Sequence, residues 1–233
     1  MLGSFAQFVA LPRAERNLSH LPAGVSFTAA AALGCRTTTA YRAVMQQGRL
    51  VAGEVMAVMG CGGVGLSAVM IGVAAGAVVI AVDSSAGALA KAKDLGATHT
   101  IDASLGDAHV RAAVLELTGD VGADLAVDAA GFVSTCENAV WAARRAGRVV
   151  QVGLPLQVTP EIPMARVAGR ELELIGSHGM AAAEFPAILK LVEEGKLDPE
   201  ALIERECSLA EGAAAIEAMD NGSPLGITMI TSF

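Results

Sequence analysis

Aromatic side chains are scarce. One Trp, one Tyr and six Phe make up 3% of the 233 residues, although 53% of the chain is hydrophobic. The apolar mass is therefore carried by Ala, Val, Leu and Gly. That composition suits helices packed closely on parallel strands, whose buried runs are nearly continuously aliphatic. Positive charge is also short: 16 Lys and Arg stand against 24 Asp and Glu, a formal net charge of −8. Such a chain repels phosphate backbones, which argues against nucleic acid as a partner. Cysteine is sparse as well. Cys35, Cys61, Cys136 and Cys207 stand at least 26 residues apart. A zinc ribbon or a thioredoxin-type redox pair needs C-x-x-C, which is absent. The N-terminal stretch MLGSFAQFVALPRAERN lacks the basic start and apolar run of a secretory signal. A reduced, cytoplasmic setting is expected.

Charge is missing altogether between Val55 and Val82. The run is long enough to cross a bilayer, for which about 20 apolar residues suffice, and Gly72-x-x-x-Gly76 within it resembles a helix-pairing motif. Against a membrane span stand the glycines clustered early in the run and the lack of Lys/Arg bias at its flanks. The run parses instead as a strand (VMAVM), a turn (GCGGVG), a helix beginning at about Val64, and a second strand (VVIAV) closed by Asp83.

Gly60, Gly62 and Gly65 fit G-x-G-x-x-G directly after the first strand. The first glycine permits the tight turn, the second lets backbone approach a pyrophosphate, and the third lets helix and strand lie close. The free N–H groups and positive dipole end of the helix then face the phosphates. Asp83 follows Gly60 by 23 residues. An acid there can accept hydrogen bonds from both ribose hydroxyls of NAD and would repel the extra phosphate of NADP. Helix capping is the competing reading for Asp83.

The alternation continues. SAGALAKAKDLG, DAHVRAAVLELTG and TCENAVWAARRAG read as helices; THTIDA, ADLAVDAAG, RVVQVG and RELELIGS read as strands. With PMARVAG as a short crossover, this predicts an α/β fold, a doubly wound six-stranded parallel sheet of Rossmann type over residues 53–177. Gly96, Gly119 and Gly147 follow helices, where a left-handed cap is expected. Gly131 and Gly153 follow strands, where ligands of open α/β sheets bind. AEFPAILKLVEEGKL and SLAEGAAAIEAMDNG predict two further helices, with Glu193 and Glu194 on a solvated face, and LGITMITSF predicts a terminal strand.

Taken together, GSFAQFV, LPAGVSFTAAAALGCRTTTAYRA, VMAVMGCGGVGLSAVM, VIAVD, AKDLGAT, QVGLP and GITMIT resemble the zinc-dependent alcohol dehydrogenases of the medium-chain dehydrogenase/reductase superfamily. The resemblance runs over nearly the whole chain but leaves out most of the N-terminal catalytic domain. It implies residues 1–36 as the end of a GroES-like catalytic domain with its connecting helix, 37–179 as the NAD-binding Rossmann domain, and 180–233 as C-terminal helices and a strand returning to the catalytic domain. On this pattern the segments 1–11 and 226–233 are strands of that β-domain.

The same resemblance assigns Gly60, Gly62, Gly63, Val64 and Gly65 to the pyrophosphate and Asp83 to the adenosine ribose. Ala88 replaces a lysine often found after that acid. Ala129, Ala130, Val152 and Gly153 line the cofactor cleft. Ile175, Gly176 and Ser177 fall near the nicotinamide carboxamide, and Thr39 is the catalytic-site threonine packed against the nicotinamide ring. Cys35 matches a ligand of the catalytic zinc, which needs three protein ligands and an open fourth position. The other ligands stand upstream in the family, its histidine in G-H-E. Here His20, His99, His109 and His178 are followed by Leu, Thr, Val and Gly. One thiolate does not make a zinc site. From spacing alone Cys35 is a small hydrophobe, Thr39 a packing or capping residue and His178 a loop residue.

The reading is an NAD-dependent oxidoreductase acting on a small alcohol or aldehyde. A metal-free, silent NAD(H)-binding module and a zinc-free quinone- or enoyl-reductase relative are the alternatives. A homo-oligomer is expected, from unpaired apolar edges and from the family's habit of pairing through its last sheet strand, here RELELIGS.

Overall fold

The computed structural model describes residues 5–155, 159–222 and 224–233. Three short helices come first: α1 (Ala14–Asn17), α2 (Phe27–Ala32) and α3 (Cys35–Tyr41), the last continuing into a π-turn at Arg42–Gln47. The alternating part follows as β1 (Val55–Met59), α4 (Gly63–Ala74), β2 (Val78–Asp83), α5 (Ala86–Asp94), β3 (His99–Asp102), α6 (Asp107–Leu117), β4 (Ala123–Asp128), α7 (Val133–Ala142), β5 (Ala143–Gln151), α8 (Met164–Arg170) and β6 (Glu173–Gly176). The chain ends with α9 (Phe185–Glu193), β7 (Ile203–Ser208), α10 (Leu209–Glu217) and β8 (Ile227–Ser232).

The first six strands form one parallel sheet in the order β3-β2-β1-β4-β5-β6. Strand order reverses beside β1, which opens a crevice at the carboxyl ends of β1 and β4. Side chains along β1 and β2 divide by the strand period of two. Met56, Val58, Val79 and Ala81 join the core under α3, α4 and α5. Ala57, Met59, Ile80 and Val82 join the opposite core under α6 and α7. Both faces are covered, so the strands have no polar side. Each such Ile or Val contributes about 1.5–3 kcal/mol by leaving water.

The uncharged run is accounted for by this burial. Helix α4 is enclosed from Gly65 to Gly72, between the sheet and α3. Among the described residues no helix is long and apolar enough to cross a membrane. The two glycines that resemble a pairing motif serve separate ends. A Cβ on Gly72 would strike the Met56 side chain on the sheet. Gly76 takes φ +79 and ends the helix, with its N–H on Val73 O and the next amide on Gly72 O. Between α3 and α4 the Thr37 and Ser67 hydroxyls meet at 3.3 Å.

Three expectations are corrected. The helix TCENAVWAARRAG ends at Ala142, because Arg166 reaches across from α8, stacks 4.4 Å from the Trp141 ring and donates to the carbonyls of Val140 and Trp141. Ala143 already pairs with Ala123, and β5 resumes its ladder at Arg148 opposite Leu125. Within that bulge Ala146, not Gly147, takes the left-handed conformation (φ 53); Gly147 is needed because a Cβ would come 2.8 Å from Arg144 O. The crossover PMARVAG stands as expected, as the short helix Met164–Arg170. In the segment 1–11, residues 1–4 lie outside the described ones and residues 5–11 form no strand. The C-terminal segment does form one, β8, but its parallel partner is β7, the sequence IERECS.

Candidate functional site

The sequence places a glycine turn where β1 ends. Gly60 has φ +90, and a Cβ there would come 2.6 Å from the Ala130 Cβ at the end of β4. A Cβ on Gly65 would run into the Gly60 carbonyl oxygen, so helix and strand cross at backbone contact. Gly62 is exposed and caps α4; a Cβ there meets nothing within 4 Å, which leaves open space in front of the helix. The first amides of α4 have no carbonyl one turn back to bind, and they point into that space with the positive end of the dipole.

Asp83 closes β2 beside this turn. Its Oδ2 accepts the Cys61 N–H at 2.6 Å and its Oδ1 accepts the Ser85 N–H at 2.8 Å. The carboxylate is half-buried and fixed in orientation. Capping of α5 is done by Ser85, whose hydroxyl accepts from the Ala88 amide. Ala88 itself is buried against the core. Burial pushes the Cys61 thiol up to about 12, with the Asp83 charge adding to the shift. At neutral pH that thiol is a packing group.

A second acid organises the far side. Asp128 ends β4 with no exposed surface. Its Oδ1 accepts the amides of Ala130 (3.0 Å) and Gly131 (3.2 Å). Its Oδ2 accepts from Gln151 Nε2 (2.5 Å) and the Cys136 thiol (3.1 Å). Burial first, then Asp128, pushes the Cys136 thiol up to about 12. The Asp128 carbonyl accepts the amides of Val152 and Gly153, both at 2.9 Å. Gly131 (φ +76) and Gly153 lie in backbone contact, since a Cβ on Gly153 would come 2.6 Å from Gly131 Cα. Ala129, Ala130, Val152 and Gly153 are thus drawn to one rim by a carboxylate the sequence reading passed over. Its signal was an acid ending an otherwise apolar buried strand, ADLAVD, opposite the Gln that ends β5.

The rim continues onto β6. Ser177 N–H donates to Gln151 O at 2.9 Å, which places Gly176 and Ser177 next to the Gln151 end of β5. The Ser177 hydroxyl is buried and has no partner among the described residues. Ile175 packs partly into the core, and His178 is exposed. On the other flank, Thr39 is buried and its Oγ1 lies 3.9 Å from the exposed Cys35 Sγ, one turn back on α3. Arg36, between them in sequence, lies over Gly63. Glu194 meets Lys190 and Lys196 on an exposed face, as expected for a solvated helix.

The donor set for a metal does not fit. Zinc in a catalytic site takes three protein ligands. Among the described residues no group of three or more His, Cys, Asp or Glu converges, and the Cys35 thiol has the Thr39 hydroxyl as its polar contact, at 3.9 Å.

Comparison with known proteins agrees with this geometry. The family model for zinc-binding dehydrogenases matches residues 63–194. The sorbitol dehydrogenase of Halalkalibacterium halodurans is 29% identical, over 97% of this chain and 65% of its own length. The NAD-dependent alcohol dehydrogenase of Saccharolobus solfataricus is 30% identical, over 96% of this chain and 63% of its own length. The solved alcohol dehydrogenase TADH of Thermus sp. ATN1 superposes with a TM-score of 0.88 at 30% identity, covering 98% of this chain and 66% of that one. The chain therefore spans just under two thirds of the curated relatives it matches.

Proposed function

Since the chain belongs to the zinc-binding dehydrogenase family, we propose that it binds NAD(H) across the carboxyl ends of the parallel strands and serves hydride transfer between that cofactor and a small alcohol, polyol or aldehyde. Residues 37–179 form the cofactor domain in this reading. The segments 1–36 and 180–233 flank it as parts of the substrate side. The observation that carries the proposal is the Asp83 carboxylate, locked by the Cys61 N–H beside an open glycine turn. Its oxygens, each holding one backbone amide, keep lone pairs for the ribose hydroxyls, and its charge opposes a 2′-phosphate.

Gly62, Gly63, Val64 and Gly65 present amides to the diphosphate. Ala129, Ala130, Val152 and Gly153 give a low wall that backbone contact has stripped of bulk. Ser177 offers its unpaired hydroxyl to the carboxamide, and Thr39 and Ile175 flank the ring. When bound, the nicotinamide supplies the hydride acceptor. Names of relatives, sorbitol dehydrogenase and NAD-dependent alcohol dehydrogenase, support alcohols and polyols as the substrate class. A second reading, NAD(H) binding without turnover, is favoured by one observation: among the described residues Cys35 stands without companion ligands.

Titrating NADH by fluorescence tests the cofactor assignment. Asp83→Ala is expected to weaken NADH binding at least tenfold, about 1.5–3 kcal/mol for each hydrogen bond to a charged group, and to narrow the preference over NADPH. Tighter binding of NADPH than NADH by the unmodified chain would sink the role of Asp83. NADH formation from ethanol or sorbitol separates the enzyme from the silent binder. The exposed Phe5, Phe8, Phe27 and Phe233 and the open edge of β6 favour self-association, which light scattering reads directly; a clean monomer would refute that part.

A further inference from the structure

Arg36 occupies an unusual position for a cation. It projects from α3 onto the glycine turn, and a Cβ on Gly63 would come 2.7 Å from its Nε and 3.1 Å from its Cζ. The guanidinium is held there by Nη1, which donates to the Gly226 carbonyl at 3.0 Å, just ahead of β8. It therefore lies against the first residue of a twelve-residue helix, at the positive end of the dipole. Eight ion pairs are formed among the described residues, engaging Arg49, Lys91, Arg111, Arg144, Arg145, Arg148, Lys190 and Lys196, and none engages Arg36. Among the described residues no carboxylate pairs with this half-buried guanidinium, so its contact with the helix N-terminus is a repulsion between like charges. An anion between the two positive groups reverses its sign. Space for one is present, because a Cβ on Gly62 meets nothing within 4 Å.

We propose that Arg36 grips the diphosphate of the dinucleotide from the side opposite the α4 amides, so that the anion is clamped between a fork of N–H donors and a helix end. The inference rests on the dinucleotide reading above and adds a residue to it. Its consequence is structural as well as chemical. Through the Gly226 carbonyl the same guanidinium ties the start of β8 to the cofactor turn, so the diphosphate would draw α3, α4 and the C-terminal strand onto one another.

The test compares wild type, Arg36→Gln and Arg36→Lys for binding of NADH and ADP-ribose across a salt series, with circular dichroism to establish that each variant is folded. Arg36→Gln is expected to weaken both ligands about tenfold or more at low salt, the loss expected for hydrogen bonds to a charged partner. The gap to wild type should close as salt rises, because an ion pair this close to solvent is screened. Arg36→Lys keeps the charge without the fork and is expected to lose about threefold; it serves alone if Arg36→Gln does not fold, and no loss in it then overturns the proposal. Equal affinities for wild type and Arg36→Gln overturn it too. A gap that salt leaves unchanged assigns Arg36 to the shape of the turn and equally overturns it. Wild type that binds neither NADH nor ADP-ribose removes the dinucleotide reading together with this one.

Discussion

Ile80, in the middle of β2, has no exposed surface, whereas Phe8, ahead of α1, is 89% exposed. The contrast extends to their surroundings. Around Ile80 helices lie on both faces of the sheet, and the two cores together enclose β1, β2 and β4. The pair β7–β8 has α10 against it, with Gly212 close on Ile230, and beyond that Phe5, Ile216, Met219 and Ile227 line an open cavity of about 150 Å³. Hydrophobic character in the sequence is thus not the same as a core. A core needs a second layer, and the central sheet has two where the C-terminal pair has one.

Three measurements break or sharpen this contrast. Ile80→Ala should cost the most, about 2–5 kcal/mol in urea unfolding, because the surrounding helices cannot collapse into the cavity. Asp124→Asn should cost less, and in a pH-dependent way. Burial raises the Asp124 carboxyl pKa, but the Val55 amide and the charges of Arg144 and Arg148 outweigh it and hold the group below its ordinary range. A depressed carboxyl stabilises the fold above its unfolded pKa, near 4, and that contribution is lost as pH falls through the folded value. The stability gap between wild type and Asp124→Asn should therefore be full at neutral pH and shrink on acidification below about pH 4. Smallest of all, Phe8→Ser should change stability by no more than about 0.5 kcal/mol. A cost of several kcal/mol would mean that the exposed face is covered, as in a self-associated state.

The same contrast explains what was legible in the sequence. The inner strands β1, β2 and β4 were readable because burial on both faces leaves an aliphatic run and tight turns leave glycines; the edge strands β3 and β6 carry exposed polar residues and were readable from the alternation around them. The glycine turn and Asp83 were readable for the same reason: backbone contact at Gly60 and Gly65 admits no side chain. β7 was not readable. Its exposed Glu204, Arg205 and Glu206 mask the one buried position, Cys207, and its partner lies beyond a helix. The ARRAG end of α7 looked helical because Ala and Arg favour helices, and a single guanidinium from α8 overrode that preference. Residues 5–11 were expected as a strand from the family pattern alone, and among the described residues they pair with no strand. Asp128 and the placement of Arg36 escaped for a common reason, since each depends on groups brought in by other elements.

The bond between Asp83 and the Cys61 amide has a practical consequence for redesign. On the proposed ribose role of Asp83, exchanging this acid for a neutral residue to admit a 2′-phosphorylated cofactor would also strip the turn of its brace. A successful switch of coenzyme would have to bring its own acceptor for that orphaned amide, so substitutions at 83 and in the 61–63 turn should be selected as a unit.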